Sequence, residues 1–173
     1  MVDETYRSLA GQETLRLASR RKRGEAARPR VAAREAAADP VLLDRMFGGD
    51  EITSLRHEVQ ERLDRVGVDG DRLQGYVLAV NEVITNVVLH AGGHGRIVVW
   101  LTAGSAWCTV TDSGPGIPER FRRPPQVPDA LDVGGRGIWL AYQLCDEVTL
   151  ATGPIGTTIG MRIALTSGIC RRT

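Results

Sequence analysis

Leu55, Val59, Leu63 and Val66 recur every three or four residues between Thr53 and Val66. That spacing lines them up on one stripe of a helix. Thr53 or Ser54 can cap its start, and Gly67 stops it. A second helical pattern runs from about Asp71 to His90, with Val77, Val80, Ile84, Val87, Val88 and Ala91 as its apolar stripe. "GIWLAYQLCDEV", after Arg136, predicts a third helix. The β-branched and aromatic runs have a different character. "RIVVWLTA" (96–103) and "AWCTVTD" (106–112), joined by Gly-Ser, predict a hairpin. "VTLAT" (148–152) and "TTIGMRIAL" (157–165), separated by "GPIG", predict another. "VLLDRMF" (41–47) reads as a short strand or a helix end. No internal repeat is visible. Helices kept apart from strand pairs in this order predict an α+β two-layer sandwich, with helices on one face of a mixed, mainly antiparallel sheet.

Composition narrows the class. The 173 residues are 42% hydrophobic and 25% charged, with a formal net charge of +1. That is ordinary for a globular protein and gives no global field that selects nucleic acid or a membrane. Cys108, Cys145 and Cys170 are widely spaced and odd in number, so they predict reduced thiols in a cytoplasmic protein and no disulfide framework. No apolar run approaches the roughly 18 residues of a membrane helix. The N-terminus lacks the pattern of a secretory signal.

Residues 1–39 stand apart as a basic, Ala/Arg-rich extension. Over residues 1–38, Arg7, Arg16, Arg20, Arg21, Lys22, Arg23, Arg28, Arg30 and Arg34 face five acids, Asp3, Glu4, Glu13, Glu25 and Glu35. This reads as a solvated, partly helical segment, or as a contact arm for an acidic partner or nucleic acid. The folded unit is expected over 40–166, with 167–173 as a tail.

Three stretches carry chemistry. In "NEVITN", Glu82 and Asn86 are four apart on one helix face, flanked by Asn81 and Thr85, with no Lys or Arg from Asn81 to His90. Either this strip faces a cavity, or it is a surface with a Glu–Asn hydrogen bond. In "VTDSGPGIP", Asp112 ends a strand, and Gly114 and Gly116 let a ligand approach the backbone. An Asx turn would use the same residues. In "GGRGIW", Gly135, Arg136 and Gly137 open a helix, where free N–H groups and the dipole bind phosphate. Arg136 can add a charge-assisted contact. A plain helix cap would look similar.

Taken together, "NEVITN", "DSGPG" and "GGRG", followed by "GTT" at 156–158, resemble the ATP-binding domain shared by gyrase-type ATPases, histidine kinases and mismatch-repair ATPases. The resemblance covers about residues 40–165 and implies the Bergerat ATP-binding fold. More narrowly, the chain resembles the bacterial serine/threonine kinases that act as anti-sigma factors. The resemblance implies ATP and Mg²⁺ as cofactors. It implies Asn86 as the Mg²⁺ ligand, which suits a hard cation that is shared with phosphates. It implies Glu82 as the base that activates the attacking hydroxyl. Asp112 would read the adenine amine, and Gly114 and Gly116 would line the base pocket. Gly135 and Gly137 would form the phosphate loop. Thr157 or Thr158 would be the strand threonine near the base. Residues 117–133, rich in proline and charge, fall where the family has its ATP lid. Arg56, by spacing alone, matches an arginine near the protein substrate.

The implied partners are a sigma factor and a STAS-type anti-sigma antagonist, with a homodimer as a further possibility and no membrane. The basic N-terminus departs from the compact family pattern. The same fold also suits a regulatory module that holds ATP with little phosphotransfer. Glu82 speaks against that, since binding alone needs no base. Nucleic-acid binding finds no aromatic and basic pattern in the core to support it. A zinc site from His90, His94 and Cys108 is opposed by Gly92 and Gly93, which break the helix between the histidines.

Overall fold

The alternating runs form one sheet, and alternate residues along them face the core. The computed structural model describes residues 15–18, 39–68, 70–118 and 136–165. Strand β1 is Leu15–Ala18, β2 Val41–Gly48, β3 His94–Thr102, β4 Ser105–Asp112, β5 Glu147–Gly153 and β6 Gly156–Ala164. Their order is β1-β5-β6-β4-β3-β2. All five pairings are antiparallel, so the expected α+β sandwich has no parallel pair among the described residues.

Strand β1 lies outside the folded unit expected from the sequence. It pairs with β5, Leu15 opposite Leu150 and Ala18 opposite Glu147. "VLLDRMF" is a strand, and its polar character has a physical reason. It is an edge strand, where charge blunts unwanted pairing. Asp44 binds Arg96 of β3 through two hydrogen bonds of 2.8 and 2.7 Å, and Arg45 pairs with Glu51 and Glu58. The two predicted hairpins form, with turns at Ala103–Gly104 and Pro154–Ile155. Gly104 has φ +78°, so the first turn centres one residue earlier than Gly-Ser suggests.

Helix α1 is Ile52–Arg65, α2 Gly70–His90 and α3 Arg136–Leu144. Leu55, Val59 and Leu63 are fully buried, each contributing about 1.5–3 kcal/mol of transfer free energy. Val66 is half-buried and Val68 takes the core place instead. Neither Thr53 nor Ser54 caps α1. The carboxylate of Glu51 accepts the Gly48 N–H (3.0 Å), and the Ser54 hydroxyl donates back to the Glu51 carbonyl.

Helix α2 buries more than its predicted stripe, adding Leu73, Tyr76, Ala79 and Val83. It lies between α1 and α3 and packs on the sheet. The Tyr76 hydroxyl reaches through the core to donate to the Met161 carbonyl at 2.8 Å. On the opposite face of the sheet, Trp100 and Trp107 are directly paired across β3 and β4 and stack, with ring centroids 6.1 Å apart at 10°. The third tryptophan, Trp139, is half-buried on α3.

Candidate active site

The pleat and the helix repeat bring the polar residues to one end of the core layer. Glu82 and Asn86 lie one turn apart on α2, both half-buried. A Cβ placed on Gly137 would lie 2.8 Å from Asn86 Nδ2 and 3.1 Å from Glu82 Cβ. Gly137 therefore lets the first turn of α3 settle directly on the polar strip. Further along, a Cβ on Gly75 would lie 3.2 Å from Leu144 Cδ2, so α3 runs back antiparallel along α2. The positive dipole end of α3 thus begins beside a carboxylate and an amide. Among the described residues, neither Glu82 nor Asn86 has a hydrogen-bond or ion-pair partner. The surface Glu–Asn hydrogen bond is not formed.

The second half of the site is a row across three strands. The register places Thr152 of β5 opposite Thr157 of β6, and Thr157 opposite Asp112 of β4. All three face the same layer as the core residues Leu150, Ile159 and Val110. Asp112 Oδ1 accepts the Gly114 N–H (2.8 Å) and the Thr157 N–H (3.2 Å). The Asx turn is thus present, yet no hydrogen bond reaches Asp112 Oδ2 among the described residues. One oxygen anchors the loop and the other remains for a donor, as suits a carboxylate that reads an amine.

Two glycines in the following loop are fixed by contact. A Cβ on Gly114 would lie 2.6 Å from Ala91 Cβ, at the end of α2. Gly116 has φ +83°, and a Cβ there would meet the Gly153 carbonyl. This packing joins the loop to α2. Ala91 follows Asn86 by five residues, about 7.5 Å of helix rise. The polar strip and the loop after Asp112 are therefore linked through the C-terminal end of α2.

The threonine ambiguity resolves by parity. Thr157 is buried beside Asp112. Thr158 points to the opposite face, where its hydroxyl meets that of Thr111 at 3.0 Å, so it is not brought to the site. Gly135 lies outside the described residues, as does most of the expected lid. Arg136 is exposed at the start of α3. Arg56 is exposed on α1, 3.4 Å from His57 Nε2, and no hydrogen bond or ion pair joins it to the strip among the described residues. The zinc alternative does not assemble. Cys108 is fully buried while His90 and His94 are exposed, and no metal-holding cluster occurs among the described residues. Thr152 was not singled out from the sequence. Its signal was the short "GPIG" turn, which sets it opposite Thr157.

The sequence profile of the histidine kinase-like ATPase domain matches residues 49–163, a span that holds Glu82, Asn86, Asp112, Gly137 and Thr157. The chain belongs to that family. This histidine kinase-like ATPase domain is also similar to a solved structure, the histidine kinase domain from the Erythrobacter litoralis EL346 blue-light activated histidine kinase. Identity is 22%, the alignment covers 64% of this chain and 65% of that one, and the TM-score is 0.45. No curated protein matches the chain. The family match begins at Gly49, so both edge strands of this histidine kinase-like ATPase domain lie outside it. Among its described residues, no helix is long and apolar enough to cross a membrane.

Proposed function

We propose that this histidine kinase-like ATPase domain binds ATP with Mg²⁺ and phosphorylates a serine or threonine of a partner protein, as a cytoplasmic anti-sigma-type kinase. The observation that carries this reading is the seating of Gly137 on Glu82 and Asn86. Among the described residues, it leaves a carboxylate and an amide without hydrogen-bond or ion-pair partners beside a helix N-terminus.

The residues fit the ligand. Asn86 offers an oxygen to a hard cation. The N-terminus of α3 favours phosphate. Gly137 provides the space that a Cβ would fill. Asp112 Oδ2 accepts no hydrogen bond among the described residues and can take an amine. Bound Mg²⁺ would supply charge neutralisation to the phosphates. The chain's own part is positioning, with Glu82 accepting a proton from the attacking hydroxyl. The partner would be an anti-sigma antagonist of the STAS type, with a sigma factor as the second binding partner. Arg56, exposed on α1, supports contact with a protein substrate through its charge and accessibility.

Incubation with radiolabelled ATP, Mg²⁺ and candidate antagonist proteins from the same genome tests the reading. Transfer to a serine or threonine is the expected result. ATP binding without transfer to any candidate would favour a regulatory module that uses ATP as a structural ligand.

A further inference from the structure

We infer that Thr152 is a positioning residue for base recognition, in a hydroxyl pair with Thr157 that supplies the half of the readout Asp112 cannot. The inference rests on the ATP reading proposed above. Thr152 Oγ1 accepts the Ile117 N–H at 2.8 Å and lies 2.9 Å from Thr157 Oγ1. Thr157 in turn donates its backbone N–H to Asp112 Oδ1. One line of hydrogen bonds thus runs from the exit of the "DSGPG" loop through both hydroxyls to the carboxylate.

The proton count gives this line its meaning. A threonine hydroxyl has one proton and two acceptor positions. At Thr152 one acceptor position is filled by Ile117. If Thr152 donates to Thr157, the Thr157 proton is free to point into the site and donate there. If Thr157 donates to Thr152, both acceptor positions of Thr152 are filled and Thr157 presents a lone pair. The direction of one bond therefore decides whether the site shows a donor or an acceptor next to Asp112.

Adenine presents an amine donor beside a ring-nitrogen acceptor. Guanine presents the reverse, a carbonyl beside an N–H. The ionised Asp112 can only accept, so it matches the amine and is indifferent to what stands beside it. A donating Thr157 completes the adenine pattern, and it requires Thr152 to donate to Thr157 rather than accept from it. Thr157 is 5% exposed, so its hydroxyl depends on protein partners more than on bulk water. The same Thr152 hydroxyl accepts the Ile117 N–H, so one oxygen serves both the loop exit and the hydroxyl pair.

Thr152→Val and Thr152→Ser in the full chain test the inference. Valine keeps the shape and removes the hydroxyl, while serine restores it. Calorimetry with ATP and GTP, each with Mg²⁺, should show the ATP preference reduced roughly tenfold in Thr152→Val and largely recovered in Thr152→Ser. Amide exchange at Ile117, measured without nucleotide, should speed up in Thr152→Val and stay slow in Thr152→Ser. A Thr152→Val protein with the wild-type preference would overturn the inference. So would unchanged Ile117 exchange, even if wild type proves not to bind ATP. Wild type that binds neither nucleotide, with Ile117 exchange altered as expected, would instead overturn the ATP reading, and with it the assigned base readout, while leaving the Ile117 anchor standing.

Discussion

Gly137 and Asn86 meet so closely that a single added carbon on Gly137 would lie 2.8 Å from the Asn86 amide nitrogen. The contact joins the helix that carries the metal-binding candidate to the helix whose N-terminus is proposed to face phosphate. Glycine is required there by crowding rather than by backbone angle, since its φ is not in the left-handed region.

Gly137→Ala should therefore separate binding from folding. Overpacking typically costs about 1–3 kcal/mol, but alanine recovers up to about 1 kcal/mol of helix propensity, and the Asn86 amide is a movable chain end. The fold should survive, with a modest shift in the urea midpoint. ATP affinity should fall by roughly tenfold or more as Asn86 and the α3 N-terminus are pushed apart. Wild-type affinity in calorimetry would show that the contact is incidental.

Asp112 anchors the loop and is proposed to read the base, and two substitutions distinguish these roles. Asp112→Ala removes the acceptor for both the Gly114 and Thr157 N–H groups, and should cost about 1–3 kcal/mol in stability. Asp112→Asn keeps a neutral acceptor for the loop but turns one end into a donor. It should stay near wild-type stability while losing the preference for ATP over GTP. Equal nucleotide preference in wild type and Asp112→Asn would refute the base-reading role.

Glu82 and Asn86 should also come apart in assay. Asn86→Ala should weaken Mg²⁺-dependent nucleotide binding. Glu82→Gln keeps shape and removes charge, so ATP should still bind while transfer falls by roughly 10²–10⁴-fold, the usual contribution of a general base. Transfer at the wild-type rate in Glu82→Gln would exclude Glu82 as the base.

The core makes the fold sensitive to alkali. Burial, with a smaller contribution from nearby Asp146, pushes the Cys145 thiol from its ordinary 9.0 to about 12. Burial raises Cys108 further, with Cys145 as a second cause, and holds Tyr76 well above its ordinary value. The folded chain thus keeps protons that the unfolded chain releases. For Cys145 this stabilisation is full below pH 9.0 and is lost as pH rises towards about 12. The slope is up to about 1.4 kcal/mol per pH unit for each group. Urea midpoints should fall between about pH 9 and pH 11, and the fall should be shallower in Cys108→Ala/Cys145→Ala. Midpoints flat across that window would contradict the assignment.

The layer order, both hairpins and all three helices were legible because apolar spacing and turn residues agreed along those segments. Strand β1 was not. "LRLA" lies in an Arg- and Ala-rich stretch of high helix propensity, and the free edge of β5 gives it strand form. Glu82, Asn86, Asp112 and Gly137 were legible as types at a spacing. Their closeness was not, since sequence does not show how deeply one helix settles on another. Thr157 and Thr158 differ by one residue, and a one-residue difference reverses the face. Only the pairing with Asp112 could choose between them. Thr152 was hidden because a threonine in a β-branched run looks like strand propensity.

The stacked tryptophans have an optical consequence. Of the protein's three tryptophans, Trp100 and Trp107 emit from the face of the sheet turned away from the helices, while Trp139 follows Gly137 by two residues on α3. The sheet stands between the two sources. In a Trp100→Phe/Trp107→Phe protein, the remaining ultraviolet emission would come from one ring beside the start of α3. The fold thus carries a local probe of that helix, and no dye needs to be attached to watch it.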